Sequence, residues 1–277
     1  MSKDLERAVA RHYAVADLLD AIMAGVKAAG GDPERLRPED LAPVDEFHIG
    51  GREATAHAVA AMDLDDRHHV LDVGCGLGGA TRYLASRLGC RVTGIDLTPE
   101  FIAVAEALAA RTGLADLIEY RTESALAMPF ADGTFDAAIT IHVAMNIRDR
   151  AGLYAEVARV LAPGAEFCVY DVMQGDGELL YPVPWAETAE TSHLTTPDEM
   201  RALLADAGFE VRHVEDRAAF AIDYFRERLA AAADGPPPLG IHLLTGDNTP
   251  AKMGNMLRNI ERGCIMPVVM LATRTAT

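Results

Sequence analysis

The densest chemistry in the chain is a carboxylate two residues ahead of a glycine-rich turn, Val70-Leu71-Asp72-Val73-Gly74-Cys75-Gly76-Leu77-Gly78-Gly79. A short apolar run with one acidic interruption reads as a buried parallel strand. The glycines after it let the backbone turn tightly and approach a ligand, and the amides at the next helix start face that ligand. The spacing Gly74-x-Gly76-x-x-Gly79 also satisfies the dinucleotide fingerprint, so the loop alone does not separate a nicotinamide enzyme from other nucleotide binders. A second predicted strand ends in Gly94-Ile95-Asp96-Leu97. An ionised carboxylate there offers two acceptor oxygens to a vicinal diol such as that of a ribose. His142 follows the fourth predicted strand, Asp171 ends the fifth, and His48 follows Phe47 near the start. Open α/β sheets bind ligands at the carboxyl ends of their strands, which makes His142 the candidate general base and Asp171 a group to orient it or act on a substrate. His48 is a further candidate from the opposite side. Structural roles stay open for all three: polar packing for the histidines, and a strand-end acid capped by local amides for Asp171.

Those residues need a scaffold, and the chain order supplies one. Residues 3–29 read as a helical stretch with Val9, Tyr13, Ala16, Leu19 and Ile22 at helical spacing, closed by Gly30-Gly31 and Pro33. A connector over 32–45 leads through Phe47-His48-Ile49-Gly50-Gly51 into a helix over 52–62. From there strands and helices alternate: strand 69–73, helix 79–88, strand 91–96, a helix from Thr98-Pro99-Glu100 to about Gly113, strand 117–122, strand 135–141, helix 150–161 and strand 165–172. This rhythm implies a parallel sheet with right-handed crossovers. A long segment, 173–195, interrupts it with Tyr181 and Trp185 and reads as a lid. Thr196-Pro197-Asp198-Glu199 has capping-box spacing for a helix ending at Gly208, before strand 209–215. Residues 217–233 read as helical, 234–240 as a linker, and Thr249-Pro250 opens a helix whose Met253, Met256, Leu257 and Ile260 form a stripe read as core. A last strand, 268–272, has Pro267 at its start, where no ladder donor is needed.

Composition limits the function classes. The 277 residues are half apolar, enough for one large core with appendages. No apolar run reaches the ~18 residues of a membrane span, and the N-terminus, with Lys3, Asp4, Glu6 and Arg7, lacks a signal-peptide pattern, which makes a cytoplasmic location the expectation. A net charge of −17 repels phosphate backbones and anionic lipid, arguing against nucleic acid as a partner. Cys75, Cys90, Cys168 and Cys264 are widely spaced and read as reduced thiols, with neither a disulfide framework nor a metal site expected. Oligomeric state stays open.

The pairing of Asp72 and the glycine turn with Asp96 resembles motif I and the ribose-binding acid of class I S-adenosylmethionine-dependent methyltransferases. Ser124-Ala125-Leu126-Ala127-Met128-Pro129-Phe130-Ala131-Asp132-Gly133-Thr134-Phe135-Asp136 and Val160-Leu161-Ala162-Pro163-Gly164 extend the resemblance in the same order. The resemblance implies a Rossmann-like α/β fold: a seven-stranded sheet with helices on both faces, an N-terminal helical cover (1–65), a methyltransferase domain (66–277) and an insertion (217–262) before the last strand. It also implies S-adenosyl-L-methionine as cofactor. Asp72 would lie near its ammonium, with Gly74, Cys75, Gly76 and Gly78 along the methionyl part. Asp96 would hold the ribose, and Leu97, Ser124, Ala125 and Ile141 would border the adenine side. Asp45-Glu46-Phe47-His48, Gly51-Arg52-Glu53-Ala54-Thr55, His142-Val143-Ala144-Met145-Asn146 and Lys252-Met253-Gly254-Asn255-Met256 are similar to the group containing sarcosine/dimethylglycine N-methyltransferases and related small-molecule enzymes. The acceptor expected from this is a small amine bearing a carboxylate, with Arg52 for the carboxylate and the Tyr181 and Trp185 faces for the ammonium. Methylation of oxygen or carbon in a small natural product is the alternative, and a nicotinamide oxidoreductase is the competing class.

Overall fold

Seven strands form one sheet because five short runs, each buried on both sides, leave only backbone to satisfy backbone. The computed structural model describes residues 17–233, 235–246 and 248–276. Its elements in chain order are α1 (Leu18–Ala28), α2 (Pro38–Asp45), α3 (Gly51–Ala60), β1 (His69–Val73), α4 (Gly79–Leu88), β2 (Arg91–Asp96), α5 (Pro99–Arg111), β3 (Ile118–Thr122), β4 (Phe135–Ile141), α6 (Arg150–Val160), β5 (Leu161–Gln174), α7 (Pro197–Asp206), β6 (Phe209–Asp216), α8 (Ala218–Ala231), α9 (His242–Thr245), α10 (Thr249–Glu261) and β7 (Ile265–Arg274). The helix expected from residue 3 is seen from Leu18 onward; its earlier part, with Val9, Tyr13 and Ala16, lies outside the described residues.

The strand order is β3-β2-β1-β4-β5-β7-β6, parallel except for β7, which runs antiparallel to both β5 and β6. This is the expected seven-stranded methyltransferase sheet, and it departs from the dinucleotide-binding order 3-2-1-4-5-6. The strand order reverses between β1 and β4, so a crevice opens beyond their carboxyl ends, after Val73 and Ile141.

Alternation along each strand decides which side chains meet. Val70, Ile139, Cys168, Tyr170 and Val172 point to the face covered by α3, α4, α8 and α10, whereas Leu71, Val73, Ala138, Phe167 and Val169 point to the face covered by α6 and α7. Each fully buried aliphatic side chain stabilises this assignment by about 1.5–3 kcal/mol. Thr196 and Glu199 form the reciprocal capping box their spacing predicts, with Thr196 N donating to Glu199 Oε2 at 2.8 Å. Thr98 occupies the cap position of α5, but its side chain caps nothing; Asp96 Oδ1 takes the Thr98 amide instead, at 2.9 Å.

Two strands outrun the expected lengths. β5 reaches Gln174 and β7 begins at Ile265 because the two pair continuously from Glu166↔Thr273 to Gln174↔Ile265. Pro267 therefore lies inside β7. Its carbonyl accepts the Arg217 amide on the side where β6 has already ended, so the missing proline N–H removes no ladder bond.

Arg82, in the first turns of α4, is wholly buried, its Nη2 donating to Asp45 Oδ2 of α2 at 2.5 Å. Truncating one member of such a pair leaves the other charge stranded. Arg82→Leu is expected to lower the unfolding free energy by about 3–5 kcal/mol, and Asp45→Leu/Arg82→Leu to recover most of that loss, both read from denaturant midpoints.

Candidate functional site

The floor of the crevice is the turn after β1. Gly74 N and Cys75 N both donate to the Ile95 carbonyl, at 2.8 and 2.9 Å, and Gly76 N donates to Asp96 Oδ2 at 3.0 Å. Gly74, Gly76 and Gly78 all have positive φ, at 76°, 54° and 79°, but for different reasons. A Cβ on Gly74 would run into Val143, and one on Gly78 into the Tyr120 hydroxyl, whereas one on Gly76 would meet nothing within 4 Å. Gly76 is thus the glycine whose bare Cα faces open crevice. Gly78, expected along the ligand, does not line the crevice; its glycine is demanded by packing against Tyr120.

Asp72, Gly74, Cys75, Gly76, Asp96, Leu97, Ser124, Ala125, Ile141, His48 and His142 all line one continuous crevice. Asp72 is buried and accepts the Thr81 hydroxyl at 2.6 Å. Burial pushes its carboxyl up to about 7, against the pull of Thr81. Burial raises Asp96 as well, opposed by the amides of Thr98 and Gly76. Asp96 Oδ2 takes the Gly76 amide and Oδ1 the Thr98 amide. Ser124 Oγ accepts the Leu126 amide at 3.2 Å. Cys75 is a buried thiol whose proton is held tightly by the apolar surroundings.

The other half of the crevice holds both imidazoles. His142 sits directly after β4 with φ 54°, unusual for a residue with a side chain, and its amide donates to the Tyr170 carbonyl at 2.7 Å. Its ring centroid lies 5.9 Å from that of His48 and 4.9 Å from that of Tyr170. His142 Nε2 is buried and finds no hydrogen-bond partner among the described residues. Burial, and then His48, hold His142 well below the ordinary histidine range; burial takes His48 down to about 4. Both rings are neutral at pH 7. Around them stand Trp185 from the 175–196 loop, Tyr224 and Phe225 of α8, and Met253 and Met256 of α10. The methionine stripe read as core thus also supplies a wall of the crevice.

Asp171 does not join them. It is the residue after Tyr170, so its side chain passes to the opposite face, where it lies 3.5 Å from Arg150 and accepts the Val172 amide at 2.9 Å. Arg52 and Tyr181 are also outside the crevice: Arg52 Nε donates to Glu46 Oε1 at 2.5 Å and its Nη2 to the Pro38 carbonyl at 3.1 Å. Sequence reading missed Glu46 and Thr55, both buried beneath His48, and the aromatic pair of α8. The spacing of Glu46, His48 and Thr55 across the Gly50-Gly51 turn was the available signal.

The lining residues suit a ligand with a diol at one end and a cation in the middle. Asp96 offers lone pairs to the diol, and Asp72, buried without a cationic partner among the described residues, is the group a ligand ammonium would relieve.

A family model described as a methyltransferase domain matches residues 71–169. A protein named as a tocopherol O-methyltransferase from Oryza sativa subsp. japonica is 38% identical over 118 residues, 42% of this chain and 33% of that protein. The ajmaline N-methyltransferase of Rauvolfia serpentina is 34% identical over 108 residues, 39% of this chain and 37% of the other. The matches therefore span about a third of those relatives' own length. Among solved structures, geranyl diphosphate C-methyltransferase from Streptomyces coelicolor A3(2), in complex with Mg2+, geranyl diphosphate and S-adenosyl-L-homocysteine, shares the fold. Its TM-score is 0.70 at 19% identity, over 99% of this chain and 100% of that one.

The Asp72 carboxyl sets a sign for pH dependence. Its pKa is raised on folding, so its contribution to stability is full below about pH 4 and is lost as pH rises through about 7, each pKa unit being worth about 1.4 kcal/mol. Asp72→Asn is expected to melt at or above wild type at pH 8 without ligand. It should also bind S-adenosylhomocysteine at least ~10-fold more weakly in titration calorimetry, the loss of one charge-assisted contact. Wild type should release protons on binding that ligand near pH 6–7.

Proposed function

We propose that the chain is a class I S-adenosylmethionine-dependent methyltransferase and that it methylates a hydroxyl oxygen of a small, mostly apolar molecule. The observation that carries this reading is the pair of neutral imidazoles, His48 and His142, in a crevice that Trp185, Tyr224, Phe225, Met253 and Met256 also line. S-adenosylmethionine supplies, when bound, a methyl carbon already activated on a sulfonium. Asp96 would hold its ribose hydroxyls, Asp72 its ammonium, the Gly74–Gly76 backbone its methionyl part, and Leu97 and Ala125 its adenine.

The protein's remaining task is to hold a nucleophile in line, exclude water and receive one proton. A hydroxyl oxygen that gains a methyl group becomes cationic and its proton strongly acidic, so a neutral imidazole with a depressed pKa is a sufficient base. An amine bearing a carboxylate, expected from sequence, loses its support: Arg52 is committed to Glu46, Tyr181 is outside the crevice, and among the described residues no lysine or arginine lines it. Enclosure by the 175–196 loop, α8 and α10 supports a small acceptor over a polymer.

The test is a mass-spectrometric screen of the purified protein with S-adenosylmethionine and acceptors matched in skeleton, a phenol or alcohol beside its amine and its carboxylic acid. Methyl transfer to the hydroxyl member is expected; transfer confined to nitrogen or carbon sinks the reading. With the accepted substrate, His48→Ala/His142→Ala should lower kcat by ~10²–10⁴ while leaving S-adenosylhomocysteine affinity in place. The base must be uncharged to act, so kcat/KM should be held above, and lost below, a pH well under the ordinary histidine value, near the His48 value of about 4.

A further inference from the structure

Behind His48 lies a buried polar chain that the cofactor site does not use. Glu46 is fully buried and His48 is 7% exposed in its side chain. Thr55 Oγ1 donates to Glu46 Oε2 at 2.6 Å, and Glu46 Oε1 is held by Arg52 Nε at 2.5 Å. His48 Nε2 lies 3.0 Å from the Gly51 carbonyl and 2.9 Å from Thr55 Oγ1. A carbonyl oxygen only accepts, and the Thr55 hydrogen is already committed to the Glu46 carboxylate. Both neighbours of Nε2 are therefore acceptors, so Nε2 carries the hydrogen and Nδ1 keeps the lone pair. His142 has no such fixing partner: its Nε2 is unpaired among the described residues.

We propose that Thr55, with Glu46 behind it, is a positioning residue for methyl transfer: it locks His48 as the Nε2–H tautomer so that Nδ1 receives the acceptor's proton. This rests on the hydroxyl-methylation reading. In the step, the acceptor oxygen forms its bond to the methyl carbon as the carbon–sulfur bond breaks and the electron pair goes to sulfur. The hydroxyl proton passes to His48 Nδ1, and the resulting imidazolium, 3.5 Å from Glu46 Oε2, later loses it to water. The Gly50-Gly51 turn, with φ 87° and 48°, brings the Gly51 carbonyl back over the ring. Burial disfavours the imidazolium, with Arg52 adding to it and the Gly51 carbonyl and Asp45 opposing, so a fixed, correctly aimed lone pair compensates for a weak base.

Nitrogen-15 NMR of histidine-labelled protein saturated with S-adenosylhomocysteine reads the tautomer without turnover, and His48→Asn assigns the signal. Wild type is expected to show a neutral His48 bearing its hydrogen on Nε2; hydrogen on Nδ1 overturns the proposal. Thr55→Val, with S-adenosylhomocysteine affinity as the check of folding, should lose on the order of 10-fold or more in kcat with KM within about 2-fold, part of the ~10²–10⁴ a positioned base contributes. Its pH–rate profile should move, and Thr55→Ser should restore both. Wild-type kcat and profile in Thr55→Val overturn the proposal; if that variant does not fold, the wild-type tautomer and Thr55→Ser still decide it. Failure of the underlying reading looks different: the Nε2–H tautomer is found, yet the product is methylated on nitrogen or carbon.

Discussion

Three amides of one turn end on the last two residues of β2, two on the Ile95 carbonyl and one on the Asp96 carboxylate. The rest of the site depends on that arrangement. At the point where the strand order reverses, the chain leaving β1 has no strand edge to follow, and these bonds draw it back over β2 before α4 begins. Asp96 does two things at once: its Oδ2 holds the Gly76 amide and its Oδ1 the start of α5, while the residue lines the crevice. The binding surface is therefore shaped before a ligand arrives, which lowers the ordering cost of binding.

One physical effect explains the opposite pKa movements in the two halves of the crevice. Burial favours the uncharged form of every group, so it raises Asp72 and Asp96 and lowers His48 and His142. Burial raises Asp45 too, with the Arg82 guanidinium pulling against it. Asp72 takes its hydrogen bonds from Thr81 and has no cationic partner among the described residues. On the proposed reading this is where a cationic cofactor would be most rewarded, a local trade of stability for affinity.

The sheet was legible in the sequence wherever strand ends are set locally: β1, β2 and β4 begin and stop where their apolar runs do, against turn residues. β5 and β7 extend each other by pairing, a long-range cause with no local mark. The crevice floor was legible because glycines and acids lie side by side in the chain. Its roof was not, since Tyr224, Phe225, Met253 and Met256 come from helices whose amphipathic pattern is equally that of plain core. Asp171 shows how sharp the limit is. The strand end is where it was expected, but the side chain that packs beside His142 is Tyr170, and one step along a strand exchanges the faces of the sheet. Arg82 carried no signal because burial of a single polar side chain is decided by partners distant in sequence, here Asp45.

The floor and the roof answer to different constraints. The floor is built from backbone and two carboxylates at the sheet's switch point, and a substitution there disturbs fold and cofactor together. The roof is side chains of α8, α10 and the 175–196 loop; methionine and aromatic residues can reshape around another acceptor without moving the sheet. On the proposed reading, total charge inside the crevice is unchanged by the reaction. The positive charge lost from sulfur reappears on an imidazole, and Glu46 lies 3.5 Å from His48.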